Sequence, residues 1–249
     1  MRKDKAGRAR HRWTLGLGAA AAAAAMLAGT VSTAAYAAPA RTSAPSYRPA
    51  TRELRPGSRG ADVKRLQQRL AQLSYFPGPI DGQFGTDTEE AVWAFQEMQG
   101  LPVTGTVASR TERSLVSPKP PRHLVRNGGA LRVEVSLRYR WLVVYHNNRA
   151  VLISHISSGG GYYYCDQGCS YATTPTGNYK TLWRVKGWHR SPLGLMYNPV
   201  FFHGGYAIHG DTDVPLQPVS HGCVRVPMDV AKIFPGLVPR KGIPVYVRD

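Results

Sequence analysis

Apolar residues recur along this chain in two rhythms. Val63, Leu66, Leu70 and Leu73 fall at i, i+3, i+7 and i+10, one stripe of a helix. Gly60 precedes the stripe and Asp62 sits in its first turn. Ala91, Val92, Phe95 and Met98 repeat the helical spacing behind Thr86 and Asp87. Glu89 and Glu90 then occupy the first turn, where negative charge suits the exposed N–H groups of a helix start. Gly100 and Pro102 end this second helix, and a short third is predicted from about Val107 to Leu115. Past residue 128 the period becomes two. Leu131 to Leu137 alternates apolar and polar, predicting a half-buried strand. Runs 141–145, 151–156, 179–185 and 243–247 are β-branched or aromatic and bounded by turn residues, with Asn147-Asn148 suited to a tight turn. A short helical period surrounds 228–234. The expected fold class is multidomain α and β: a three-helix bundle, then a mostly-β antiparallel sandwich or open barrel.

The stretches without a period divide the chain further. Residues 38–53 are Pro, Ala, Ser, Thr and Arg and read as an extended, solvated tether. Residues 116–128 carry Pro118, Pro120 and Pro121 and read as a stiffer spacer. Residues 1–37 run from six bases through an alanine-rich apolar stretch to Ala35-Tyr36-Ala37, the order of a secretory signal. No cysteine lies near that site and no adjacent arginine pair precedes it, so a Sec-type route to the outside is expected. A retained membrane anchor is the alternative. The resulting plan is signal 1–37, linker 38–53, bundle 54–115, linker 116–128 and β module 129–249.

Charge changes the picture in one respect. The formal net charge is +17, of which +5 belongs to residues 1–37 and +12 to the rest. The bases are scattered over linkers and strands, with no basic-aromatic element that would read nucleic acid, so no nucleic-acid partner is expected. Three cysteines in 249 residues exclude a disulfide-dense mini-scaffold. Cys165 and Cys169 enclose three residues and are expected to close a small disulfide loop, worth roughly 2 kcal/mol by loop-closure entropy. Free thiols are the alternative. That leaves Cys223.

Cys223 lies in Ser220-His221-Gly222-Cys223-Val224-Arg225. A nucleophilic thiol needs deprotonation, a nearby base and donors for the developing oxyanion. At a pKa of about 8.5 only ~3% is thiolate at pH 7, and lowering it to about 6 gives ~90%. His221, two residues before the thiol, and His209, at the end of a predicted strand, are the candidate bases. Gly222 allows close approach of backbone to substrate. A zinc site from His203, His209, His221 and Cys223 is a rival, disfavoured because no H-E-x-x-H or paired carboxylate base accompanies it. Asp211 and Asp213 stand beside His209 either to tune it or as part of a solvated loop.

Two resemblances follow from these residues. L-R-P-G-S-R-G-x-x-V-x-x-L-Q-x-x-L (54–70), D-G-x-F-G (81–85), A-V-x-x-F-Q (91–96) and G-L-P-V-x-G (100–105) resemble the three-helix peptidoglycan-binding domain of cell-wall enzymes, with Thr104 where that family often has Asp. S-H-G-C-V-R (220–225) preceded by A-I-H-G (207–210) resembles the L,D-transpeptidase catalytic domain of the YkuD type. Ser157-Ser158-Gly159, Thr174-Pro175-Thr176-Gly177, Phe202, Gly205-Tyr206 and Ile243 to Val247 agree with it.

The second resemblance implies Cys223 as nucleophile and His209 as general base and proton donor, with the Gly210 carbonyl orienting the imidazole. It implies oxyanion donors at His221, Gly222 and Cys223, and loop ordering or substrate contact by Ser220, Tyr206 and Arg225. Arg225 is open to two further readings, a substrate-carboxylate ligand or an ion-paired surface residue. The tyrosines around Cys165 and Cys169 are candidates to line the cleft. The expected reaction is 3→3 cross-linking of peptidoglycan stem tetrapeptides with release of D-alanine. The bundle would hold glycan, carbapenem-type β-lactams would inhibit, and no metal or cofactor is expected. Hydrolysis by water, an L,D-carboxypeptidase activity, and a non-catalytic wall-binding protein are the alternatives.

Overall fold

In a computed structural model, residues 47–165 and 168–249 are described. The expected export segment and most of the first linker lie outside them. Helices α1 (Ala61–Gln72), α2 (Thr86–Gln99) and α3 (Ser109–Val116) form the bundle. Gly100 ends α2 in the left-handed conformation, φ 69°, which a Cβ would disfavour. The Thr104 hydroxyl accepts from the Thr106 amide at 3.2 Å.

The β module is a sandwich of mixed sheets. Strands β1 (Leu131–Ser136), β2 (Trp141–His146), β3 (Arg149–His155), β4 (Tyr163–Cys165), β5 (Cys169–Tyr171), β6 (Gly177–Lys180), β7 (Trp188–Ser191), β8 (Gly194–His203), β9 (Tyr206–Gly210) and β10 (Val224–Val226) are followed by helix α4 (Met228–Leu237) and β11 (Pro244–Arg248). The first sheet has order β3-β2-β1-β11-β6 and the second β10-β9-β8-β7, while β4 and β5 form a separate hairpin. The β2–β3 turn places Asn147 and Asn148 at φ 50° and 60°, the conformation that Asn tolerates in a two-residue hairpin. The expected all-antiparallel arrangement is corrected: β1 pairs β11 in parallel, and β9 pairs β10 in parallel. The predicted strand 179–185 is also shorter, ending at Lys180.

Between the sheets lies one core, with Val133, Val135, Leu142 and Val144 on one side, Val200, Phe202, Ile208 and Val224 on the other, and α4 closing an end through Val230, Ala231 and Phe234. The outer face of the first sheet is not solvated. Trp141, Val143, Tyr145 and Ile153 belong to a second core with Leu66, Leu70, Phe95 and Met98 of the bundle. The expected half-buried strand is therefore buried on both faces, and Arg132 and Glu134, its polar side, form a buried ion pair at 2.6 Å.

The spacer between the modules is docked as well. The Leu124 amide donates to Glu134 at 2.5 Å, the Lys119 amide to Gln99 at 2.8 Å, and the Tyr145 hydroxyl to the Arg122 carbonyl at 2.8 Å. The end of the first linker is held at two points, while Arg48, Pro49 and residues 51–53 are exposed. There the Tyr47 hydroxyl and the Ala50 amide both donate to Glu112 of α3, at 2.7 and 3.1 Å.

Candidate active site

The parallel pairing of β9 with β10 builds the site. Val224 lies level with Ile208 and Arg225 with His209, so Cys223 stands immediately before β10 on the His209 side of the sheet. Side chains alternate along a strand, so His209, Arg225 and Cys223 face away from the sandwich core. They line a cleft of about 500 Å³ with Ser220, His221, Tyr206 and Asp211. Tyr164, Cys169 and Ser170 of the β4–β5 hairpin and Leu193, Leu195 and Met196 of the β7–β8 hairpin line it as well.

His209 is buried, and its Nδ1 lies 3.0 Å from the Gly210 carbonyl oxygen. A carbonyl only accepts, so Nδ1 carries the proton and Nε2 holds the lone pair in the neutral ring. Burial pushes the imidazole pKa down, against opposing pulls from the Gly210 carbonyl and Asp211. Gly210 has no room for a side chain: a Cβ there would come within 2.6 Å of the Ala231 Cβ. This close packing fixes the carbonyl against α4.

Cys223 is half-buried, and its nearest hydrogen-bond acceptor is the Gly205 carbonyl, 3.8 Å from Sγ. Burial pushes the thiol pKa up, outweighing the Ala207 backbone hydrogen bond and the Arg225 charge. The sequence-based expectation of a depressed thiol pKa is thus corrected. Burial acts on both groups in the direction that favours their neutral forms.

The loop before Cys223 is tied on both sides. The Ser220 hydroxyl donates to the Cys223 carbonyl at 2.6 Å and accepts from the Gly222 amide at 3.0 Å. The Gly222 N–H is thereby committed, which corrects its expected place among the oxyanion donors and leaves the His221 and Cys223 amides. Gly222 adopts φ 136°, and a Cβ would meet the Tyr206 ring at 2.6 Å and the Thr173 carbonyl at 2.7 Å. Thr174, to which the residue-by-residue reading gave no role, donates to the Gly222 carbonyl at 2.7 Å and accepts from the Gly159 amide at 2.9 Å. Its only sequence signal was membership of the T-P-T-G turn.

Arg225 is engaged by acids. Its Nε lies 3.2 Å from Asp211 Oδ2, and its Nη1 lies 3.6 Å from Asp213 Oδ2 while donating to the Asp213 carbonyl at 3.2 Å. Of the readings left open, the ion pair is the one formed, and it orders the 211–213 turn beside His209. His221 packs edge-on against Tyr164, with ring centroids 4.6 Å apart. His203 stacks on Tyr206 instead, at 5.8 Å. Among the described residues no group of three or more His, Cys, Asp or Glu side chains is placed to hold a metal ion, so the four-residue zinc alternative is not assembled. Cys165 and Cys169 are joined as a disulfide that closes the β4–β5 hairpin.

Fold and site together define a cysteine-containing β-sandwich with a bundle docked on its far side. Comparison with known proteins gives this class a family. Residues 59–115 match the peptidoglycan binding domain family, and residues 130–247 match the L,D-transpeptidase catalytic domain. The crystal structure of an L,D-transpeptidase from Xylanimonas cellulosilytica is 37% identical, with 80% of this chain and 99% of that one covered and a TM-score of 0.74. The chain belongs to the L,D-transpeptidase family. Among curated proteins, it is 43% identical over 60 residues to the spore cortex-lytic enzyme of Bacillus cereus and 41% over 56 residues to the N-acetylmuramoyl-L-alanine amidase CwlM of Mycobacterium tuberculosis. These matches cover 24% and 22% of this chain and only 23% and 14% of the relatives' own lengths.

Proposed function

We propose that the protein is an exported cell-wall enzyme that cross-links peptidoglycan stem peptides through a Cys223 thioester. The observation that carries this reading is the placement of a tautomer-fixed His209 on β9 and of Cys223 at the start of the parallel neighbour β10, both lining one cleft. Substrate binding displaces water, and His209 Nε2 takes the thiol proton as Cys223 Sγ bonds to the carbonyl carbon of the third stem residue. The tetrahedral oxyanion is met by the backbone amides of His221 and Cys223. Collapse breaks the bond to the terminal D-alanine, and the imidazolium returns its proton to the leaving amine. An amine from a neighbouring stem then attacks the thioester, loses its proton to His209, and frees the thiol in a 3→3 cross-link. Burial raises the thiol pKa and lowers that of the imidazole, so the proton transfer to His209 accompanies attack rather than preceding it.

The same thiol is open to acylation by carbapenem-type β-lactams, whose strained carbonyl would take the place of the stem carbonyl. The bundle would grip glycan, and the +12 carried by residues after 37 favours an anionic wall. Incubation with disaccharide-tetrapeptide followed by mass spectrometry tests the reading. Wild type should release D-alanine and form dimers, and Cys223→Ala should do neither. Release of D-alanine without dimers would mean water is the acceptor, a carboxypeptidase. No release by wild type would leave a wall-binding protein.

A further inference from the structure

Beside the cleft, an apolar cluster on the outer face of the second sheet carries an exposed aromatic ring. Phe201 on β8 is paired in register with Ala207 on β9, and Met196, Phe201 and Ala207 form one apolar cluster against which Cys223 packs. On Phe201 lies the indole of Trp183, centroids 3.6 Å apart and planes 12° from parallel. His189 on β7 meets both rings edge-on at 6.0 Å. The backbone under the indole is fixed from both sides: the Leu182 amide donates to the Phe201 carbonyl at 2.8 Å, and the Phe201 amide to the Trp183 carbonyl at 2.9 Å. Phe201 is 3% exposed and Trp183 41%. One face of the indole is therefore packed on Phe201 and the other is open to solvent.

We infer that the open face of Trp183 is a saccharide subsite, which stacks a pyranose ring of the glycan strand carrying the donor stem peptide. This rests on the peptidoglycan reading above and extends it from peptide to sugar. A pyranose presents a flat patch of C–H bonds ringed by hydroxyls. A flat, rigid, electron-rich ring loses little entropy on covering that patch, and the His189 ring at its edge can hydrogen-bond the hydroxyl rim. The occupant is a sugar because of where the platform lies. The cleft at Cys223 takes the stem peptide, and Met196 lines that cleft. Met196 is packed in one cluster with Phe201, the residue that Trp183 covers, so the glycan from which the peptide hangs must lie close to the exposed indole.

Two measurements on the full chain separate this inference from the reading beneath it. In the first, the Trp183 indole N–H signal, assigned by its loss in Trp183→Ala, is followed in a heteronuclear NMR titration with an N-acetylglucosamine tetrasaccharide. A saturable shift is expected, and an unmoved signal overturns the subsite whatever the enzyme's activity. In the second, kcat/KM is compared for disaccharide-tetrapeptide and glycan-free tetrapeptide. Wild type should favour the glycan-linked substrate about three- to tenfold, the scale of one aromatic stack. Trp183→Ala should bring that ratio to about one with the tetrapeptide rate unchanged, and Trp183→Phe should restore part of it. Should Trp183→Ala not fold, Trp183→Leu keeps the contact with Phe201 and serves the same comparison. An equal fall on both substrates, or an unchanged ratio, would overturn the inference. Inactivity on both substrates with the NMR shift intact would instead strike the acyl-transfer reading and leave the sugar site standing.

Discussion

Glu97 of α2 holds His155 of β3: its two carboxylate oxygens lie 3.1 and 3.2 Å from Nδ1 of a fully buried imidazole. The other ring nitrogen lies 3.2 Å from the Pro215 carbonyl, in the loop that runs to Ser220. Arg140 completes the cluster at 3.3 Å. The pair crosses from the bundle to the sheet inside a shared apolar core.

Deleting one member of such a pair strands the other in a low-dielectric interior. Glu97→Ala should cost about 3 kcal/mol in urea denaturation. Both modules should still unfold in one transition, because the core that joins them belongs to neither alone. Two separate transitions in wild type would contradict the shared core.

Glu90 carries a second signature of that interface. Burial, helped by the charges of Asp87, Glu89 and Asp229, raises its carboxyl from 4.5 to about 8. The folded state therefore holds a proton that the unfolded chain has lost. Stability is full below the unfolded value and falls as pH rises from about 4.5 towards 8. Glu90→Gln, which mimics the protonated acid, should change little at pH 4.5 and add about 3 kcal/mol near pH 7.5. An effect independent of pH would refute the assignment.

For the chemistry, a lowered His209 and a raised Cys223 predict a wide window of neutral pair. The acid limb of kcat/KM should lie below the ordinary imidazole value, where His209 takes up a proton. Iodoacetamide alkylation of Cys223 should rise only above the ordinary thiol range, since burial holds the proton on sulfur. A plateau of fast alkylation at pH 6–7 would mean a standing thiolate–imidazolium pair.

The loop at 220–223 should be intolerant of small changes. Gly222→Ala meets Tyr206 and the Thr173 carbonyl at contact distances no Cβ sustains, and must shift Cys223. Activity should fall roughly a hundredfold or more, the cost of a displacement on the order of 1 Å at a reacting atom. Ser220→Ala leaves the Gly222 amide and the Cys223 carbonyl without their shared partner and should cost roughly 1–3 kcal/mol in stability. Wild-type turnover in either variant would remove the loop from the mechanism.

Much of this was readable in the chain, for definite reasons. Helical spacing at Val63, Leu66 and Leu70 and alternation at Leu131–Ser136 are local signals, and the Asn147-Asn148 turn is set by two residues. Strands β7 and β8 escaped notice because Trp188, Leu193 and Leu195 are exposed and Pro199 interrupts the run, so no clean alternation marks them. Parallel pairing of β9 with β10 is a long-range choice that no window of sequence records. The thiol's proton affinity is not legible in the motif, which names its neighbours but not their hydration: His209 is buried, and burial lowers its pKa. Arg132 and Glu134 look like a solvated strand face until residues 122–124 fold over them.

The docking of the bundle on the outer sheet has a mechanical consequence. A binding module on a loose string would let the nucleophile sample a sphere of targets around each anchorage point. Here Phe95 and Met98 share a core with Trp141 and Tyr145, and the string itself is bonded down at Lys119 and Leu124. The protein is therefore a caliper rather than a tethered tool. Under the proposed reading, whatever the bundle grips, Cys223 would work at one offset and one orientation from it, and the spacing of its products along a polymer would be written into the fold.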